Sequence, residues 1–124
     1  HCRLVCRGEF GHVQSVFGRL CELHRLLAAG VARLGRRLMH SEHLGYLASC
    51  PSNVGTGLRA SMTLVLPELT KDPWQLTTLC EDMGLHVRSG AGAASVRGQV
   101  KWEVWNRRKA GCTEVEIVQG LLNG

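Results

Sequence analysis

The chain has 124 residues, of which 44% are hydrophobic and 20% charged, with a formal net charge of +5. This composition is typical of one globular domain and argues against a disordered segment, and no apolar run reaches the roughly 20 residues that span a bilayer. The positive charge suits an anionic partner such as nucleotide phosphates or an acidic protein surface, and the alternative is that the basic clusters are solvated surface. With one tyrosine and no basic stripe interleaved with aromatic residues, the pattern argues against nucleic acid.

The six cysteines lie far apart and contain no C-x-x-C pair. They are Cys2, Cys6, Cys21, Cys50, Cys80 and Cys112. This is not metal-ligand spacing, and without a secretory signal it gives little reason to expect disulfides. His40 and His43 would need two further ligands to hold zinc. We therefore predict no metal site. The expected compartment is a reducing one (cytosol, organelle matrix or cytoskeleton), and we assign the chain to the cytoplasm, with association to the cytoskeleton or a flagellum as an option.

The first half of the chain predicts a strand, a helix, a loop and a second strand. The apolar segment Cys2–Cys6 reads as a short strand, and helical spacing of apolar residues predicts a helix from Gly11 to about Leu34. Turn-forming residues between Cys50 and Gly57 predict a loop. Residues 58–66 then alternate between apolar and other side chains, which is the period of a strand.

The second half begins with a helix whose ends are both marked. Asp72 is a predicted N-cap, Pro73 suits the first helical position, and Gly84 supplies the stop. Leu85–Arg88 then reads as a strand, and Ser89–Ser95 as a mobile loop.

The last segments complete the predicted fold. Val100–Trp105 reads as a strand, and Thr113 with Glu116 forms a capping box that opens a helix through Leu122. Together the elements predict an α+β fold, with a mainly antiparallel sheet flanked by helices on one side. We assign residues 1–124 to one domain.

A long motif resembles the signature segment of the phosphagen (ATP:guanidino) kinases, the family of creatine and arginine kinases. From Glu42 to Arg59 it reads E-H-L-G-Y-L-A-S-C-P-S-N-V-G-T-G-L-R. Leu85–Ala93, Lys101–Asn106 and Thr113–Gly124 are similar to further segments of the family in the same order. The resemblance covers the whole chain and implies the C-terminal part of a guanidino-kinase (glutamine synthetase-like) catalytic domain.

The resemblance also implies a phosphate-binding set for ATP or ADP with Mg²⁺. Arg3, Arg59 and Arg88 fall on phosphate-contacting positions of the family, and Glu103 falls on an acidic position near the nucleotide. Arginine suits this chemistry because its planar fork bonds two oxygens at once and keeps its charge. The alternative is that these are surface arginines in an arginine-rich chain.

On the acceptor side, the resemblance implies that Cys50 and Ser52 are the catalytic residues. Cys50 matches a reactive cysteine that orients and polarises the guanidinium as a thiolate, and Ser52 can lower its pKa by donating to the sulfur. A buried, inert cysteine is the alternative. Gly55 and Gly57 would allow close approach of the backbone to a ligand, or would simply be turn glycines.

The chain departs from the family pattern at several positions. Glu103 replaces an aspartate, Trp105 a serine, Thr63 a histidine and Lys109 an arginine. Ala93 stands where the family has an acidic or aliphatic residue after the glycines of its loop. The family's general-base carboxylate and its N-terminal helical domain would lie before the first residue. The chain by itself is therefore not expected to catalyse phosphoryl transfer, because positioning supplies most of the rate.

Two functions remain open. The first is an enzyme that reversibly transfers the γ-phosphoryl group of Mg·ATP to a creatine-like guanidino compound. The second is a degenerate, non-catalytic fold kept as a structural module, with protein partners in a cytoskeletal or flagellar assembly. The partners expected for the first are a nucleotide and a small guanidino substrate, without nucleic acid or membrane.

Overall fold

The computed structural model describes residues 2–9, 11–67, 72–89 and 100–123, in two compact units that span residues 1–39 and 40–124. In the first unit, helix α1 (Val13–Arg33) confirms the predicted helix. Gly35, with φ +68°, follows its C-cap and ends it. The strand predicted at Cys2–Cys6 is wrong, because these residues lie in no strand. A strand needs a neighbouring backbone to satisfy its N–H and C=O groups, and the described residues of this unit form no other strand.

The second unit carries the sheet. Its elements are β1 (His40–Ser41), β2 (Gly45–Tyr46), a 3-10 turn (Pro51–Asn53), β3 (Ser61–Val65), α2 (Pro73–Asp82), β4 (Leu85–Ser89), β5 (Lys101–Asn106) and α3 (Glu114–Asn123). Strands β3, β5 and β4 form an antiparallel sheet in that order, and β1 pairs with β2 in a small hairpin that was not predicted. Most of the loop predicted at 89–95 lies outside the described residues.

Both predicted helix starts in this unit are confirmed. The Asp72 carboxylate accepts hydrogen bonds from the backbone N–H groups of Trp74 and Gln75. Thr113 and Glu116 form the reciprocal capping box, with N···O distances of 2.7 and 3.2 Å. The backbone and side-chain hydrogen bonds from Thr113 lower the pKa of Glu116. These contacts satisfy N–H groups that the first turn of a helix leaves unpaired.

The core lies on one face of the sheet, between the strands and the helices of this unit. Trp102 and Val104 of β5 are buried against Leu76 and Cys80 of α2 and Leu85 of β4, and α3 also packs on β5. Helices on one side of an antiparallel sheet confirm the predicted α+β fold. Because strand side chains alternate, the residues between these core positions point to the opposite face.

In the part of the chain that the structure describes, no helix combines the length and the apolar character needed to cross a membrane.

Candidate functional site

The face of the sheet opposite the core carries charged residues of β4 and β5. Across the strands, Thr63 of β3 lies opposite Glu103 of β5, and Glu103 lies opposite Arg88 of β4. In the neighbouring row, Trp105 lies between Ser61 and His86. Side chains paired in this way are close enough to interact directly. The strand register therefore brings acidic, basic and aromatic groups onto one surface.

Two of the predicted phosphate ligands meet on this face. Arg59 Nη2 donates to Glu103 Oε1 at 2.8 Å. Arg88 donates to Glu103 Oε2 through Nε at 2.8 Å and Nη2 at 2.6 Å. Burial alone would raise the pKa of Glu103, but the hydrogen bonds and charges of Arg88 and Arg59 together lower it. One carboxylate thus holds two guanidinium groups, one on each oxygen.

Trp105 adds an aromatic contact to the same pair. The Arg59 guanidinium carbon lies 4.5 Å from the ring centroid of Trp105, and that of Arg88 lies 5.4 Å from it. Both distances are within the range of a cation–π interaction. The His86 ring lies 5.4 Å away on the same side of the sheet. Trp105 and Glu103, two of the residues that depart from the family pattern, therefore form one contact network with the arginines.

Asn106 fixes the segment that carries Arg59. It is buried, with 5% of its surface exposed. Its Oδ1 accepts from the Ala60 N–H at 2.9 Å, and its Nδ2 donates to the carbonyls of Leu58 at 3.2 Å and Arg108 at 2.7 Å. The Asn106 backbone N–H also donates to the Ala60 carbonyl at 3.3 Å, so the side chain and the backbone of Asn106 together hold the residues that precede β3. Arg59 is held between these two anchored neighbours.

The second predicted pair of site residues lies in the turn before this segment. Cys50 Sγ and Ser52 Oγ are 3.0 Å apart, and both residues are exposed. The side-chain and backbone hydrogen bonds from Ser52 lower the pKa of the Cys50 thiol, and the charge of Lys109 lowers it further. When Cys50 is a thiolate, the Ser52 hydroxyl must be the donor, because the sulfur carries no proton. An exposed thiol of lowered pKa is a reactive one.

The structure thus brings the predicted residues into two groups. Arg59, Arg88 and Glu103 share one cluster, and Cys50 and Ser52 share one hydrogen bond. Arg3 is exposed in the first unit, so its assignment as a third phosphate ligand stays a prediction.

Sequence reasoning missed the structural role of Asn106. Its signal was available, because Asn106 shares the strand period of the buried residues Trp102 and Val104. A polar side chain at a buried position of a strand indicates hydrogen bonds to buried backbone. Across the described ranges, no group of three or more His, Cys, Asp or Glu residues could hold a metal ion.

Comparison with known proteins identifies the family. Residues 1–124 match the family described as ATP:guanido phosphotransferase, C-terminal catalytic domain. The chain is 32% identical over 124 residues to the flagellar creatine kinase of Strongylocentrotus purpuratus, which covers all of this chain and 10% of that protein.

Solved structures agree with this match. A lombricine kinase superposes with a TM-score of 0.75 at 33% identity, over 91% of this chain and 31% of its own. The duplicated taurocyamine kinase of Schistosoma mansoni, with bound transition-state analogue components, superposes with a TM-score of 0.72 at 28% identity. The match covers 90% of this chain and 14% of that chain. The chain thus spans a tenth to a third of the length of these relatives. The match over its whole length shows that it belongs to the ATP:guanido phosphotransferase family, within the C-terminal catalytic domain.

Proposed function

We propose that the complete protein containing this chain is a phosphagen kinase, which reversibly transfers the γ-phosphoryl group of Mg·ATP to a guanidino compound. The observation that carries the proposal is the convergence of Arg59 and Arg88 on the two oxygens of Glu103. A carboxylate and a phosphate present oxygens to arginine in similar ways, so a site that holds one suits the other. Phosphoryl transfer depends on this kind of charge neutralisation.

The charge balance of the cluster favours an anionic ligand. Two guanidinium groups face one carboxylate, so the cluster carries a net positive charge. The Arg88 side chain is 61% exposed and that of Arg59 is 34% exposed, so both have surface accessible to a ligand. Glu103, with 23% of its side chain exposed, lies deeper and aligns the arginines. We propose that Arg59 and Arg88 bind nucleotide phosphates and that Arg3 adds a third contact.

On the acceptor side, we propose that the Cys50 thiolate orients the guanidinium of the substrate. The Ser52 hydroxyl stabilises the thiolate, and a negative sulfur attracts a planar cation without forming a covalent bond to it. The acceptor is a creatine-like guanidino compound. The proposed location is the cytoplasm, with flagellar association suggested by the name of the Strongylocentrotus purpuratus relative.

The degenerate-module hypothesis is not favoured. A decayed site is expected to lose its contacts one by one, whereas Glu103 and Trp105 both contact the two arginines. Two of the departures from the family pattern, Glu103 and Trp105, are therefore integrated with the proposed phosphate site.

Calorimetric titration of Mg·ADP into the complete protein tests the phosphate site. We expect saturable binding that Arg59→Ala weakens by about tenfold or more, since a charge-assisted hydrogen bond contributes about 1.5–3 kcal/mol. Arg107→Ala is the matched control, because Arg107 is an exposed arginine outside the cluster, and it should leave the affinity unchanged. Equal affinities in the two variants would contradict the assignment of Arg59, and no binding to any of the proteins would favour the structural module.

A further inference from the structure

Lys109 is hydrogen-bonded, through both its side chain and its backbone, to the loop of residues 50–56, which we call the Cys50 turn. Its Nζ donates to the Ser52 carbonyl at 2.9 Å and to Asn53 Oδ1 at 2.6 Å. Its own carbonyl accepts from the Thr56 N–H at 2.8 Å. These contacts join the connection between β5 and α3 to the 3-10 turn that follows Cys50. The position of the ammonium group is therefore fixed by the fold.

The neighbouring basic residues do not share this role. The sequence presents Arg107, Arg108 and Lys109 as one basic run, but Arg108 Nη2 donates to the Gly111 carbonyl at 2.8 Å. Arg107 is exposed, and its backbone N–H donates to the Gly84 carbonyl. Of the three, Lys109 is the residue whose side chain bonds to the Cys50 turn.

The chemistry of lysine fits this position. Its ammonium is a compact point charge with three donors, and two of them bond to the backbone carbonyl of Ser52 and to the side chain of Asn53. Ser52 is also the hydrogen-bond partner of the Cys50 sulfur. A positive charge held beside a thiol favours the thiolate over the neutral form.

We propose that Lys109 is a positioning residue for Cys50, which fixes the Pro51–Asn53 turn and stabilises the Cys50 thiolate through its charge. Its catalytic meaning rests on the proposed function, but its effect on the thiol does not. The lowered pKa of Cys50, to which the charge of Lys109 contributes after the Ser52 hydrogen bonds, supports the geometry. The substitution Lys109→Met removes both the positive charge and the two side-chain hydrogen bonds to Ser52 and Asn53.

The test measures the rate of Cys50 alkylation by iodoacetamide as a function of pH in the complete protein. Cleavage after Arg37 and Arg59 gives a peptide of residues 38–59 in which Cys50 is the sole cysteine, so mass spectrometry can follow this thiol alone. In Lys109→Met, we expect the midpoint of the profile to move to higher pH and the rate at pH 7 to fall about two- to fivefold, the effect of one exposed charge pair. Above the midpoint, where the thiol is fully ionised, the rates should converge.

Two further variants separate charge from structure. Arg107→Met removes one positive charge at an exposed site and should leave the profile unchanged, whereas Lys109→Arg keeps the charge and should restore most of the rate at pH 7. An identical profile for Lys109→Met and Arg107→Met would overturn the proposal.

If Lys109→Met does not fold, a salt titration of the unsubstituted protein replaces it. Screening of the Lys109 charge should move the midpoint of the Cys50 alkylation profile to higher pH. A midpoint that salt does not move would then contradict the proposal. None of these readouts requires nucleotide or kinase activity, so the proposed function can fail independently.

Discussion

Replacing Asn106 with leucine should lower the free energy of unfolding by about 2–4 kcal/mol. The leucine side chain has the same branching but is larger, and its two methyl groups cannot replace the hydrogen bonds to Leu58, Ala60 and Arg108. A fully buried backbone group that loses its partner costs about 1–3 kcal/mol, and the total stays below three times this because Leu58 and Ala60 are part-buried and Arg108 is exposed. Urea unfolding followed by circular dichroism measures the change directly.

The matched control is Asn123→Leu, the same substitution at an exposed position in α3, where the side chain accepts one bond from Gln119. Its effect should stay within about 0.5 kcal/mol, as for most surface substitutions. Because Asn106 anchors both neighbours of Arg59, Asn106→Leu should also weaken Mg·ADP binding at a temperature where the variant is still folded. Equal stabilities of the two leucine variants would contradict the assigned role of Asn106.

Replacing Gly55 with alanine should destabilise the second unit by more than about 2 kcal/mol. Gly55 is buried with φ +113°, a conformation that side-chain-bearing residues rarely adopt. A Cβ atom there would lie 2.1 Å from the carbonyl oxygen of Lys109, which is backbone and cannot rotate away. Gly55 also exchanges two backbone hydrogen bonds with Tyr46, at 2.7 and 3.2 Å, so a shift of the loop breaks these as well.

Gly57→Ala supplies the comparison within the same loop. Gly57 also has a positive φ, +65°, but the nearest atom to its Cβ position is the Asn53 carbonyl oxygen at 3.8 Å. Alanine there meets only the cost of the left-handed conformation, about 1 kcal/mol. In thermal unfolding, the melting temperature of Gly55→Ala should therefore be well below that of Gly57→Ala. The reverse order would refute the close contact with Lys109.

Local signals were sufficient for much of the fold. The helix at Val13–Arg33 follows from apolar spacing, and the caps at Asp72 and Thr113 depend on side chains within three residues of their partners. The strand predicted at Cys2–Cys6 was wrong because strand formation depends on a partner that the segment itself does not contain. The β1–β2 hairpin was missed for the converse reason, since its two-residue strands carry no measurable period.

The resemblance named the candidate site residues but not the contacts among them. The signature motif contains Cys50, Ser52 and Arg59, and the similar segment Leu85–Ala93 contains Arg88. The pairing of both arginines with Glu103 depends on contacts 44 and 15 residues apart in sequence. The sequence shows Lys109 as the last of three consecutive basic residues, whereas its bond to Asn53 spans 56 residues. Such contacts form only when folding brings together segments that are distant in sequence, which local patterns do not specify.

The most direct test of the central claim is a phosphoryl-transfer assay on the complete protein, with Mg·ATP and a panel of guanidino compounds that includes creatine and arginine, across a range of pH. We predict ATP-dependent phosphorylation of at least one acceptor, with the rate strongly reduced in Arg88→Ala and retained in Arg107→Ala. The absence of transfer to every acceptor at every pH, in a protein that is folded, would contradict the assignment of kinase activity.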